Sequence, residues 1–186
     1  MSNHADLTKL PAFDEASECW HAVIETPKDS HHKFDFEPKF GCFELKRTLP
    51  EGMTFPLDFG FIPSTLGEDG DPLDILVLME ASVIPGCVVR ARLVGAIEAE
   101  QKEKGEGWMR NDRLIAIATH AQTYDNAKKL SDLRPHLLDE IKEFFVSYNK
   151  LRDRKFRTTH DASPDKARKL IEEGMKTFKK KRRKAA

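Results

Sequence analysis

The feature that most constrains this chain is a division in its hydrophobic pattern: strand-like from Cys19 to about Ala118, helical in the last third. The segment Trp20-His21-Ala22-Val23-Ile24-Glu25-Thr26 is rich in β-formers and stops at Pro27. Lys33 to Glu37 alternates polar and aromatic residues with period two, as a half-buried strand does. Pro38 to Gly41 can turn the chain into Cys42–Arg47, so a hairpin is expected here. Ile75–Met79 reads as a buried strand, Pro85-Gly86 as a turn, and Val88–Ile97 and about Arg113–Ala118 as further strands. From Ser131 to Asn149, with Pro135 near the start, Leu137, Leu138, Ile141, Phe144, Phe145 and Tyr148 recur at helical spacing. Ser163-Pro164 supplies an N-cap followed by an N1 proline, and Ala167, Leu170, Ile171, Gly174, Met175 and Phe178 then form one apolar stripe. Five or more short strands followed by two helices predict an α+β, mainly β fold: a small closed barrel with two helices packed outside.

No internal repeat or linker divides the 186 residues, a length that suits one domain with a real core. The expected organisation is a single domain over 1–186, with a polar N-terminal arm (1–18) and a basic C-terminal tail (179–186). Lys plus Arg and Asp plus Glu both count 31, so net charge says nothing about partners. Cys19, Cys42 and Cys87 are widely spaced and odd in number, which argues against a disulfide framework and for a reducing compartment. Each reads as a small core residue rather than a nucleophile. Met1–Lys9 is polar, with no apolar signal core, and the longest apolar run, Ile75–Met79, is far short of the ~20 residues a membrane span needs. A soluble, cytoplasmic protein is expected. The His31-His32 pair reads as a surface pair, since adjacent strand residues face opposite ways.

The most informative segment is Gly67-Glu68-Asp69-Gly70-Asp71-Pro72-Leu73-Asp74-Ile75, which gathers three aspartates and a glutamate just before a hydrophobic strand. Carboxylates this close repel one another, and a bound cation removes the conflict. Oxygen-only ligands indicate Mg²⁺ or Mn²⁺ rather than zinc. Three readings compete. One is a solvated acidic surface turn. A calcium-binding EF-hand loop fits Asp69, Asp71 and Glu80 at positions 1, 3 and 12 but fails at Leu73 and Asp74, and a strand follows where a helix is required. The third is a multi-metal phosphoryl-transfer site, with carboxylates holding metals that clamp a polyanion and activate water. That site needs cations elsewhere, and Lys33 and Arg47 on the two strands of the hairpin could face one cavity. Tyr148, late in the first helix, could add a hydroxyl.

These residues resemble the soluble, family I inorganic pyrophosphatases. The turn Asp69-Gly70-Asp71-Pro72-Leu73-Asp74-Ile75 matches the family's D-x-D-P-x-D signature and the apolar residue after it. Val23-Ile24-Glu25-Thr26-Pro27 resembles its early V-I-E-x-P strand, Lys33-Phe34-Asp35 its K-Y-E segment, and Phe55 to Ile62 its Y-P-x-N-Y-G-Y-I run. Pro85-Gly86, Val94-Gly95 and Phe144 to Tyr148 also match in order. The resemblance implies an OB-like five-stranded barrel, hydrolysis of inorganic pyrophosphate to two phosphates, Mg²⁺ dependence (with Mn²⁺ as an alternative) and a homo-oligomer, a hexamer being favoured. It casts Asp69 and Asp74 as metal ligands and Asp71 as the group that accepts a proton from, or orients, the attacking water. Lys33, Arg47 and Tyr148 hold phosphate oxygens in this scheme, while Glu25 and Asp35 line the cavity. No nucleic-acid or membrane partner is expected. The enzymatic alternative is a metal-dependent hydrolase of another phosphoanhydride, a nucleotide or polyphosphate.

The chain departs from the family pattern in several places. Phe55 and Phe59 stand where the family has tyrosines, and Asp35 is shorter than the usual glutamate. The basic residue that usually follows the helix tyrosine is Asn149 here, with Lys150 one place later. Where the family has two further metal-binding aspartates and then a lysine, ungapped alignment puts Asn111 at a ligand position and Arg113 at the lysine. A small bulge would instead present Asp112, the reading adopted as the third metal ligand, with Glu100 or Glu106 replacing the other aspartate.

Overall fold

A computed structural model describes residues 6–185. After a 3₁₀ turn at Leu7–Lys9, the strands in chain order are β1 (Phe13–Asp14), β2 (Cys19–Thr26), β3 (His32–Glu37), β4 (Cys42–Thr48), β5 (Asp58–Ile62), β6 (Leu73–Leu78), β7 (Val88–Lys102), β8 (Met109–Arg110), β9 (Arg113–Ala118) and β10 (Lys155–Ala162). The helices are α1 (Leu137–Lys150) and α2 (Pro164–Ala185). Five strands close a ring in the order β2-β5-β6-β9-β7, with β7 pairing back onto β2, so the expected five-stranded barrel is present. Within the ring only the β6–β9 pair is parallel. Closure leaves no free edge among these strands.

Two glycines make the ring possible. A Cβ at Gly60 on β5 would meet the Val23 carbonyl oxygen of β2 at 1.9 Å, so only glycine lets the two strands approach. Gly95, with φ +152°, sits at a register shift in β7. That bulge lets one 15-residue strand serve β2 and β9 in the ring and then run out to pair with β8 and β10. Ile24, Ile62, Ile75, Leu76, Leu78, Leu114, Ile115 and Ile117 are fully buried, each contributing about 1.5–3 kcal/mol by leaving water.

Outside the ring, β3 and β4 form the expected hairpin as a separate two-stranded sheet. Its outer face is solvated, which leaves Cys42 exposed rather than in a core; Cys19 is buried and Cys87 half-buried. His31 and His32 are both exposed.

The last third is not wholly helical. β10 lies between the two helices and pairs antiparallel with β7. Only Phe156 and Ala162 of its eight residues are buried, so no period-two pattern announces it. The first helix starts later than Ser131, at Leu137, after a 3₁₀ turn at Leu130–Asp132. The second begins at Pro164 as expected, with the Ser163 hydroxyl accepting from the Lys166 amide at 3.3 Å. Its basic end continues as exposed helix. Among the described residues no helix is long and apolar enough to cross a membrane.

Candidate active site

The acidic turn is fixed at both ends by one side chain. The Thr65 hydroxyl donates to the Ile62 carbonyl (2.6 Å) and accepts from the Leu73 amide (3.0 Å), cinching the loop that joins β5 to β6. Within it the Gly67 amide donates to the Asp71 carbonyl (2.7 Å), Gly70 turns at φ +89°, and the Asp71 amide donates to Asp69 Oδ1 (3.2 Å). The Leu66 amide donates to the Gly174 carbonyl (3.1 Å), which moors the loop to α2. Burial first, then the neighbouring Asp74 and Asp71 charges, raise the Asp69 pKa to about 6. Burial raises Asp71 and Asp74 as well. Asp74 is the second residue of β6, and its carboxylate meets Arg113 of the parallel neighbour β9 at 2.6 Å.

A wall of cations faces these acids. The hairpin register sets Lys33 opposite Arg47, followed at once by a bulge in the pairing. Lys33 is buried: its Nζ donates to the Phe34 carbonyl (2.7 Å), lies 3.4 Å from Glu25 Oε2, pairs with Asp35 and sits 4.5 Å above the Phe59 ring. Burial opposes its charge, but Glu25 and Asp35 outweigh that, and its pKa rises. Glu25, at the end of β2, accepts from the Phe36 amide (2.8 Å). Burial carries its pKa to about 7 in spite of Lys33. Tyr148 lies in an aromatic cluster with Phe55, Phe144 and Phe145, and two guanidinium groups approach its ring, Arg47 at 5.7 Å and Arg152 at 5.6 Å.

Together these groups enclose a cavity of about 690 Å³. Glu25, Lys33, Asp35, Arg47, Asp69, Asp71, Asp74 and Tyr148 all line it, eight of the nine residues expected from the sequence. Asp112 is the exception. It accepts from the Ala99 amide (3.0 Å) and from Arg110 Nε (2.6 Å) and faces a smaller adjoining cavity of about 180 Å³. Asn111, one residue earlier, lines both cavities. The extended chain explains this, because neighbouring residues point to opposite sides and Asn111 shares its side with Arg113. Glu106 lines the large cavity, whereas Glu100 is bound to Arg157 on β10.

Sequence reasoning passed over Gln101, Glu103, Arg152 and Arg154, which also line the cavity. The alternation Ile97, Ala99, Gln101 along β7 marks Gln101 as inward-facing and was the available signal. Nothing local marks the arginines, which the turn after α1 brings in. Among the described residues no three Asp, Glu, His or Cys side chains converge closely enough to cage a cation unaided. The donors at hand are nonetheless all oxygen: the carboxylates of Asp69, Asp71 and Asp74 and the amide oxygens of Asn111 and Gln101. Such a set suits Mg²⁺.

A five-stranded barrel whose mouth opposes aspartates to buried cations defines a class of anion-handling proteins. The chain belongs to the inorganic pyrophosphatase family, whose family model matches residues 22–179. It is 36% identical to an inorganic pyrophosphatase of Synechocystis sp. over 94% of this chain and 99% of that one. A Thermus thermophilus inorganic pyrophosphatase is 39% identical over 81% of this chain and 83% of its own length. Among solved structures, the inorganic pyrophosphatase of Thermus thermophilus superposes with a TM-score of 0.86 at 34% identity, covering 94% of this chain and 99% of that one. That of Helicobacter pylori gives 0.79 at 30% identity, over 92% and 99%.

Proposed function

We propose that the chain hydrolyses inorganic pyrophosphate to two phosphates. The observation that carries this reading is the single cavity shared by the Asp69–Asp71–Asp74 turn and the Lys33–Arg47–Tyr148 wall. Pyrophosphate is compact and highly charged, and a site for it needs acids and bases on opposing walls. The family is metal-dependent, and Mg²⁺ is the ion we assign; Asp69 and Asp74 would hold it, with Asn111 as a neutral oxygen donor. Asp112 then serves one layer out, holding the Ala99 amide and Arg110. When bound, Mg²⁺ supplies charge neutralisation and a lowered pKa for water.

The chain's own residues do the rest. Asp71 orients the attacking water and takes its proton, a task for which the upward pull of burial brings its pKa closer to neutrality. Lys33, Arg47 and the Tyr148 hydroxyl hold phosphate oxygens and stabilise the charge on the departing phosphate. Asp35 keeps Lys33 charged, and Glu25 helps fix it in place. Arg113 balances Asp74 in the role that the resemblance gives to a lysine.

The test is a substrate panel with Mg²⁺: pyrophosphate, tripolyphosphate and ATP at equal concentration. A preference for pyrophosphate of at least 100-fold in kcat/KM is expected. A faster reaction with ATP or tripolyphosphate replaces this reading with the broader phosphoanhydride one. We also assign the protein to the cytoplasm, in keeping with three unpaired cysteines. The exposed apolar side chains of Phe40, Leu45, Ile84 and Val88 favour a homo-oligomer, a hexamer by family resemblance. Light scattering then reads a mass near six times 21.2 kDa.

A further inference from the structure

The two residues after Tyr148 bring no cation into the cavity. Asn149 is turned inward, its side-chain amide donating to the Phe145 carbonyl at 2.9 Å, and Lys150 is exposed. Arg152, in the turn just past the end of α1, lines the cavity instead. Its neighbours all have partners: Arg154 pairs with Glu103, Arg157 with Glu100 and Arg113 with Asp74. Among the described residues Arg152 and Arg47 form no ion pair, and Arg47 Nε has no hydrogen-bond partner. Two unpaired guanidinium groups at 5.6 and 5.7 Å from one tyrosine ring repel each other. Burial lowers the Arg152 pKa, and Arg154 and Arg47 add to that effect. An oxyanion shared between the two forks removes the repulsion and satisfies both, since guanidinium binds phosphate in a bidentate way.

We propose that Arg152 is a substrate-binding residue that holds one phosphate of pyrophosphate together with Arg47 and the Tyr148 hydroxyl. This rests on the pyrophosphate reading and adds a residue from the turn after α1.

The test compares Arg152→Gln and Arg152→Lys with Arg168→Gln, a substitution on the exposed face of α2. Inorganic phosphate binding is titrated calorimetrically in Mg²⁺ buffer, KM and kcat are measured for Mg²⁺-pyrophosphate, and thermal melting reports on the fold. Arg152→Gln is expected to weaken phosphate binding and raise KM by at least tenfold, with kcat within about threefold and the melting temperature unchanged. Arg152→Lys recovers part of the loss, because it restores charge without the fork, and Arg168→Gln changes neither quantity. Unchanged phosphate affinity in Arg152→Gln overturns the proposal, as does a lowered melting temperature with phosphate affinity intact. An equal loss in Arg168→Gln also overturns it. If the native protein binds phosphate but does not split pyrophosphate, the proposed activity fails while the titration still judges Arg152.

Discussion

Gly60→Ala puts the closest contact in the barrel under direct test. The new methyl would lie 1.9 Å from the Val23 carbonyl oxygen, 2.8 Å from its carbon and 2.9 Å from Ile24 Cα. All three are backbone atoms of β2, so no side-chain rotation relieves the overlap. A Cβ needs more than 3.0 Å from such an oxygen, which requires β2 and β5 to part by over 1 Å. Ladder hydrogen bonds between the strands are then stretched or lost at ~1 kcal/mol each, on top of an overpacking cost of about 1–3 kcal/mol. A loss of about 3–5 kcal/mol follows, a large share of the ~5–15 kcal/mol that holds a domain together. The same displacement shifts Glu25 at the end of β2 and Phe59 beside Lys33, so KM should rise in whatever fraction stays folded. Urea denaturation followed by far-ultraviolet circular dichroism measures the stability. A loss below 1 kcal/mol with normal kinetics would refute the reasoning, because it would mean β2 and β5 do not approach as described.

Three further outcomes follow from the site. Glu25 keeps its proton in the folded protein up to about pH 7, whereas the unfolded chain releases it near 4.5. The Glu25 contribution to stability therefore falls as pH rises through that window, by about 3 kcal/mol at 1.36 kcal/mol per pH unit, and Glu25→Gln removes that part of a fall to which Asp69 also contributes; denaturation at pH 5 and pH 8 with chelator present checks this, and an unchanged slope contradicts it. Arg113→Met leaves the Asp74 carboxylate without its 2.6 Å partner and should cost about 3 kcal/mol without divalent metal, read as a lowered urea midpoint. Asp71→Asn should preserve the melting temperature and lower kcat by about 10²–10⁴-fold; a loss of fold instead would give Asp71 a structural part.

The barrel was legible because its central strands are buried on both faces. Ile75 to Leu78 and Leu114 to Ala118 carry unbroken apolar runs that fit no amphipathic helix of useful length. The strand β10 was not, since Thr158, Thr159, His160 and Asp161 present mostly to solvent and its place is decided by pairing with β7, far away in sequence. The same contrast governs the site. Asp69, Asp71 and Asp74 fall within one turn, where their mutual repulsion is itself the signal. The choice between Asn111 and Asp112 depends on which side of a short extended segment faces the cavity, and the residue types do not encode that. Gln101 is marked by the alternation along β7, whereas Arg152 enters through the turn after α1 and its cavity position comes from tertiary contacts alone.

The central claim is that the acidic turn splits pyrophosphate, and phosphate release from Mg²⁺-pyrophosphate tests it most directly. The native protein is compared with Asp71→Asn and with native protein in excess chelator, with Mn²⁺ as a second metal. Rapid release that both the substitution and the chelator abolish is the expected result. No release by the native protein with either metal, or release that survives Asp71→Asn unaltered, would contradict the account.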